Sequence, residues 1–436
     1  MRKPKLALTF LIFAFLIIVL GPCFISPSLR AEEPPSEPSV PPPTQTSCFN
    51  CHSQLDGEPT RRAAEDIHFQ NGLSCHDCHG GDPAALDDMD ASHNPKKGWT
   101  GKPDRLRIPG FCARCHSDAT FMKRFNPHAR VDQLSEYRTS VHGQKNARRD
   151  EGAAVCVDCH EVHGIRAISD PRSPVHPTRV AETCAGCHAD EGKMGPYVVP
   201  TNQYEQYRTS VHFRAIHEKG DLSAPTCNDC HGSHGAAPPG VENVTNVCGS
   251  CHPREATLFR ETEVKKKMDL SPCIRCMVCH GNHAVLTPKD EMLGVGKEST
   301  CTGCHAEGDA GYAAAVKMAA SIEDLKGGLA QATGLLDRAE RAGMEVSEDR
   351  FALQKAQDSL VESRVLAHSF DLDRFMTAAN AGISAADAGV ASARKAFADL
   401  RTRRVGLGLS LVVILAVILG LVLKVMELAR ISHRRP

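Results

Sequence analysis

Aromatic side chains are scarce in this 436-residue chain, which has one Trp, five Tyr and 15 Phe. A domain of several hundred residues ordinarily fills its interior with such groups, so buried apolar surface has to come from another source. Neither sign of charge is in excess: 51 Lys and Arg stand against 52 Asp and Glu. That balance argues against a nucleic-acid partner. Beyond Gly311 the chain lacks cysteine altogether and lacks proline until Pro436, while alanine becomes frequent, so a helical region begins there. What the chain has in quantity is 20 cysteines and 22 histidines.

Residues 1–31 read as an export signal: Arg2, Lys3 and Lys5 precede an uncharged, largely apolar run from Leu6 to Leu20, and Pro22 ends it. Leu29-Arg30-Ala31 is a poor small-x-small cleavage site, which leaves a retained anchor as the alternative. Cys23 reads as an unremarkable residue, because Pro22 fills a position that lipidation signals give to a small residue. Residues 32–47 are a proline-rich, extended tether. Residues 48–309 are dense in Cys, His, Gly and Pro with little periodicity, as expected of a scaffold held by covalent or metal bonds.

The decisive pattern is Cys-x-x-Cys-His, which occurs nine times and takes eighteen of the twenty cysteines. The pairs are Cys48/Cys51, Cys75/Cys78, Cys112/Cys115, Cys156/Cys159, Cys184/Cys187, Cys227/Cys230, Cys248/Cys251, Cys276/Cys279 and Cys301/Cys304. Two thiols one helical turn apart can each add to a vinyl group of one haem, and the next residue then faces the iron. The nine proximal ligands are accordingly His52, His79, His116, His160, His188, His231, His252, His280 and His305. Zinc sites place no demand on the residue after the second cysteine. Nine thiol redox motifs on one chain would have no purpose, and a disulfide framework leaves nine histidines unexplained. The cofactor expected is haem c, nine copies, covalently attached.

A second histidine on each iron makes an electron carrier, whereas an open position makes a catalyst. An internal repeat sorts the remaining histidines. Tyr137-Arg-Thr-Ser-Val-His142 precedes Cys156-Val-Asp-Cys-His160-Glu-Val-His163, and Tyr207-Arg-Thr-Ser-Val-His212 precedes Cys227-Asn-Asp-Cys-His231-Gly-Ser-His234. Each unit closes with a second motif, at Cys184 and Cys248. A third copy, Phe259-Arg-Glu-Thr-Glu-Val264, leads to Cys276 and His283 and closes at Cys301, with Val264 where the histidine should be. A fourth lies in front, with His68 ahead of Cys75 and Cys112 closing it. The units span about 68–130, 137–190, 204–254 and 259–309.

Repeat position nominates His68, His142, His163, His212, His234 and His283 as distal ligands. His93, His128 and His176 complete the set of nine, with His76 and His217 in reserve. One haem of the third unit is expected to take a substitute such as Met268 or to be open. Lys265 to Lys267 read as a solvated charge run, and Cys273 as a bystander beside the eighth motif.

Residues 310–404 read as an antiparallel hairpin or small bundle. Ile322, Leu325, Leu329, Ala332, Leu336 and Ala339 form one seam. Leu372, Met376, Ala379, Ile383, Ala386, Val390, Ala393, Phe397 and Leu400 form another, with Ser347 as N-cap of a helix between them. His368 reads as an exposed helical histidine. Residues 405–423 carry no charge over a length that crosses a bilayer. Because the motif region follows an export signal, the haem domain is expected on the periplasmic or outer side of the cell membrane, leaving 424–436 as a basic cytoplasmic tail. The fold class expected is mainly α with much irregular structure.

The runs Tyr-Arg-Thr-Ser-Val-His, Cys-His-Asp-Cys-His79-Gly-Gly-Asp-Pro83 and Cys-Asn-Asp-Cys-His231-Gly-Ser-His-Gly235 resemble those of bacterial multihaem c-type cytochromes, over roughly Cys48 to His305. The resemblance implies electron transfer from a membrane donor, through partnership with a cytochrome b or other quinol-oxidising subunit, to a periplasmic or extracellular redox acceptor. It also implies a histidine where this chain has Val264. The rival expectation is a multihaem oxidoreductase that reduces a small nitrogen or sulfur oxyanion at an open haem.

Overall fold

The computed structural model describes residue 44 and residues 46–55, 58–86, 88–237, 247–269 and 275–432. The export segment, most of the tether and Cys273 lie outside the described residues. Among those described there are α-helices, short 3-10 turns and irregular loops, with no strand, so the chain is mainly α as expected. Contacts divide it into two units: Met1–Asp56 with Gly72–Trp99, and Gly57–Asn71 with Thr100–Pro436.

In the first unit, Ser47–His52 and Cys75–His79 are short helices. Ser47 donates from its amide to the Pro83 carbonyl at 2.8 Å and from its hydroxyl to the Asp82 carbonyl at 2.9 Å, fixing the first helix to the loop after the second. Gly80 turns the chain out of the second helix at φ +72, and a Cβ there would stand 2.1 Å from the Gly98 carbonyl oxygen, so only glycine fits.

The second unit joins a region of short helices to a bundle of three long ones, Ala310–Arg341, Ser347–Leu366 and Leu372–Ser432. Asp309 caps the first by accepting from the Tyr312 amide at 2.7 Å. Of the seams read from the sequence, Ile322, Leu325, Ala332, Leu336 and Ala339 are buried with Ala379, Ala386, Val390 and Ala393, while Leu329, Leu372, Met376, Ile383, Phe397 and Leu400 are partly buried. Phe375, outside the seam expected, is fully buried, and Leu353, Ala356 and Leu360 of the middle helix complete the core. Ser321 reaches Met376, Gly328 sits against Ala386 and Gly389 against Ala332, so the first and third helices run in the same direction. The middle helix begins at Ser347, but Val346 occupies the cap position. Ser347 instead donates its amide to Glu345 at 2.9 Å, one residue away from the role expected of it.

No break separates the bundle from the apolar segment, because nothing at 404 or 405 interrupts the hydrogen-bond ladder of the third helix. Its 61 residues extend about 90 Å at ~1.5 Å per residue. The large apolar side chains from Val405 to Leu428 are exposed, and this is the one helix among the described residues long and apolar enough to cross a membrane. The short-helix region docks on the other end of the bundle. Asp290 is gripped by Arg364 at 2.8 and 2.9 Å and by Lys326 at 3.1 Å, Arg254 pairs with Glu362, and Leu258 and Leu293 pack against the bundle core.

Candidate functional site

Most motifs lie in a short helical segment; the helix of the seventh ends at Cys251, before His252, and the ninth has only the 3-10 turn Cys301–Gly303. In a complete segment the two thiols and the following imidazole are held within about one turn, as in Cys75–His79, Ile108–His116, Cys156–His160, Val180–His188 and Cys227–His231. Asp77, Asp158 and Asp229, each just before the second cysteine, accept from the backbone N–H that precedes the helix. The donors are Ser74 and Val155 at 2.6 Å and Thr226 at 2.8 Å. Sequence reasoning missed these aspartates, although their recurrence at one motif position is a helix-start signal. Where these helices end, the residue after the proximal histidine turns into the left-handed region: Gly80, Glu161, Gly232 and Gly281. Glu161 bears that conformation with its carboxylate held by Arg62.

None of the eighteen described cysteines forms a disulfide bond. In the second unit they come together in chain order. Cys112 lies beside Cys156, Cys184 beside Cys227, and Cys248 beside Cys276. Between these pairs Cys159 interacts with Cys187, Cys230 with Cys251, and Cys279 with Cys301 and Cys304. Every motif from the third to the ninth thus neighbours the next one along the sequence. In the first unit Cys48 and Cys75 are likewise near each other.

In the first two motifs the two thiols differ in exposure, and in the third they do not. Cys48, Cys75 and Cys112 carry the thiol contacts just described and are half-buried. Their mates differ: Cys51 and Cys78 are exposed, and Cys115 is half-buried in the last turn of Ile108–His116.

The imidazoles pair. Ring centroids lie 6.1 Å apart for His52 and His93, 5.8 Å for His68 and His116, 6.2 Å for His142 and His188 and 6.2 Å for His160 and His234. They lie 6.1 Å apart for His231 and His283 and 6.0 Å for His280 and His368. Two imidazoles that share one metal ion through bonds of ~2.0–2.1 Å, each with its centre about 1.1 Å behind the bonding nitrogen, stand about 6.3 Å apart. The ring separations fit that geometry, and the planes remain free to rotate about the common axis. His212 lies close enough to His252 to interact electrostatically.

Second contacts orient several of these rings. Nδ1 of His93 donates to the Met89 carbonyl at 2.9 Å and Nδ1 of His368 to the Val365 carbonyl at 3.0 Å, which leaves Nε2 of each with its lone pair. His68 Nδ1 lies 3.0 Å from Asp66, whose other oxygen accepts from the amides of Gly164 and Ile165 at 2.7 and 2.9 Å. Burial works against the Asp66 charge, but the His68 side chain and these backbone donors outweigh it and hold its carboxyl down at about 2. Burial, and then the facing His234 ring, push His160 down to about 4. The same two causes, burial and then the facing ring, lower His116 against His68 and His142 against His188. Neutral rings are the form that can donate to a metal.

The upstream histidines share one local setting. His68, His142 and His212 are each the second residue of a helix whose cap, Asp66, Ser140 or Ser210, accepts from a backbone amide two or three residues on. Thr262 does the same for the helix Glu263–Asp269, accepting from Lys265 at 3.0 Å, and its second residue is Val264. The three upstream histidines all face the closing motif of their own unit. His234 and His283 face the first motif of the unit before theirs.

His128 and His176 face no histidine ring among the described residues. His128 is exposed, and His176 is buried with Nδ1 accepting from the Thr178 amide at 3.3 Å. Of the reserves, His217 stacks on Phe213 and His76 lies 3.8 Å from Asp77. His163 holds a left-handed backbone at φ 52. His368 differs from its expectation. It sits in the 3-10 turn Ala367–Ser369 at the corner between two bundle helices and is brought against His280. The signal available in the sequence is the interruption of apolar periodicity between Leu366 and Leu372.

Residues 31–80 match the family model described as cytochrome c554 and c-prime. The match includes both motifs of the first unit, and it supports a c-type cytochrome that binds haem covalently. No curated protein and no solved structure gives a match to the chain.

Proposed function

We propose that the chain is a nine-haem electron-transfer protein anchored by its C-terminal helix, with electrons passing between motifs in the order in which they occur along the chain. A bound haem iron would supply a one-electron couple at each motif, and where two imidazoles face each other both could hold it. The residues do the rest. Paired cysteines at Cys48/Cys51 through Cys301/Cys304 form the thioether bonds, and the following histidines donate from one face. The second imidazole would come from His93, His68, His142, His234, His212, His283 and His368, which face or approach His52, His116, His188, His160, His252, His231 and His280 respectively. The observation that carries this reading is the unbroken adjacency of consecutive motifs from Cys112 to Cys304.

The scarcity of apolar side chains supports it. Among the described residues of 48–309, the buried apolar side chains are Ala153, Val155, Val180, Ala181, Met194, Tyr207 and Ile216. Such a region gains its interior from bound porphyrin, and the apoprotein is expected to be unfolded there.

The haem region lies on the outer side in this reading, and the donor is a cytochrome b or other quinol-oxidising subunit. Because the first and third bundle helices are parallel, the end bearing His368 is the end remote from the apolar segment. Leu372 and Val405 are separated by about 50 Å along the helix at ~1.5 Å per residue. A membrane donor therefore has to deliver electrons well above the bilayer surface, through a domain of its own that rises beside the bundle. The test is a reductive titration of the full-length protein with intact-mass analysis. Nine haems and nine electrons per chain are expected, and a smaller number of either refutes the proposal.

A further inference from the structure

The third repeat unit departs from the others at one atom-scale position. In the other three units the second residue of a capped helix is a histidine that faces the closing motif: His68 faces His116, His142 faces His188, and His212 approaches His252. In the last unit that residue is Val264, half-buried, and the closing motif is the one that ends in His305. The spare histidine of the bundle does not fill the gap, because His368 faces His280 instead. Among the described residues no histidine ring faces His305.

His305 itself is held unlike the other proximal rings described above. Its Nδ1 lies 3.2 and 3.3 Å from the two carboxylate oxygens of Asp309, and Asp309 is fixed in turn by the amides of Ala306 at 2.9 Å and Tyr312 at 2.7 Å. Gly311 makes room for this: a Cβ there would fall 2.1 Å from Cε1 and 2.2 Å from Nδ1 of the ring. A carboxylate acceptor on Nδ1 makes the other nitrogen a stronger donor to a metal.

We infer that the haem of the ninth motif, alone among the closing motifs, has no histidine as sixth ligand, and that its iron binds small neutral diatomic molecules opposite His305. The inference rests on the nine-haem reading. Val264 offers an isopropyl group and no donor. Of the three lysines that follow it, Lys265 is paired with Asp269 and Lys266 with Glu263 at 2.6 Å, which leaves little free positive charge there to hold an oxyanion. Asp309 is a positioning residue that acts through His305.

The probe is carbon monoxide added to the dithionite-reduced, full-length protein, after mass analysis has established haem at Cys301 and Cys304. Uptake at the haem of Cys301 and Cys304 is expected, and Val264→His should abolish that uptake while converting the corresponding high-spin ferric signal to low-spin. Asp309→Asn should lower the iron–histidine stretching frequency of that one haem in resonance Raman spectra, a change that a merely structural residue would not produce. Nine haems with no carbon monoxide uptake would overturn the inference and leave the nine-haem reading intact. So would a sulfur-to-iron charge-transfer band assigning the position to Met268, or uptake that Val264→His leaves unchanged. Absence of haem from Cys301 and Cys304 would overturn both.

Discussion

Replacing His368 with alanine should affect one iron and spare the rest. The ring stands 6.0 Å from His280 with its plane only 17° away, and Val365 holds it with Nε2 pointing away from the helix corner. Two other pairs have similarly parallel planes, His160 with His234 at 9° and His231 with His283 at 22°. Three are steeply crossed: His52 with His93 at 69°, His68 with His116 at 83° and His142 with His188 at 60°. Parallel imidazole planes split the two iron d orbitals that point toward them and give a rhombic low-spin resonance; crossed planes leave those orbitals nearly equal and give a strongly axial one. Electron paramagnetic resonance of the oxidised protein should therefore contain both classes. His368→Ala should remove about one-third of the rhombic intensity from these six pairs, leave the axial intensity unchanged, and add one high-spin iron. Added imidazole should restore the lost signal by entering the space of the deleted ring. His128→Ala and His176→Ala serve as controls that change neither class. Intact rhombic intensity in His368→Ala would refute the assignment and the geometric reasoning behind it.

Two further outcomes concern the bundle. Leu336 is fully buried in its core, and Leu336→Ala should cost about 2–5 kcal/mol in chemical denaturation followed by circular dichroism, with haem content unchanged. Asp290 is kept below its ordinary pKa chiefly by Arg364, against burial and with help from Lys326. A depressed carboxylate contributes stability that is complete above its unfolded value of about 3.9 and is lost as pH falls below it. The stability difference between wild type and Asp290→Asn should accordingly be present at pH 7, shrink as pH falls below about 3.9 and be gone once pH is below the depressed native value; a difference that stays constant throughout the acid range would show that charge is not what holds the clasp.

How much of this was legible beforehand follows from the range over which each feature is encoded. Haem attachment needs two thiols and an imidazole within five residues, so the nine motifs, and with them the c-type cytochrome character, could be read locally. Helical seams from Ile322 to Ala339 and from Leu372 to Leu400 were readable for the same reason, since burial of a helix face imposes its own period. The uncharged stretch 405–423 needed only its length and composition.

The second axial position is a different matter, because a ligand there is chosen by proximity in space and any imidazole that the fold delivers will serve. Repeat position found His68, His142, His212, His234 and His283, but it could not say that the upstream member faces its own closing motif while the downstream member faces the preceding unit. Nor could it find His368, which follows its partner by 88 positions and arrives only because the bundle's second corner docks beside His280. The exposure of Cys51 and Cys78 beside half-buried Cys48 and Cys75 is of the same kind, since it depends on which face of each short helix meets a neighbour. The order of the motifs in space, the continuity of the third helix through residue 404 and the remoteness of the haem end from the apolar segment likewise depend on which helices lie parallel. Side-chain packing between segments far apart in the chain sets that arrangement, and no short window of sequence contains it.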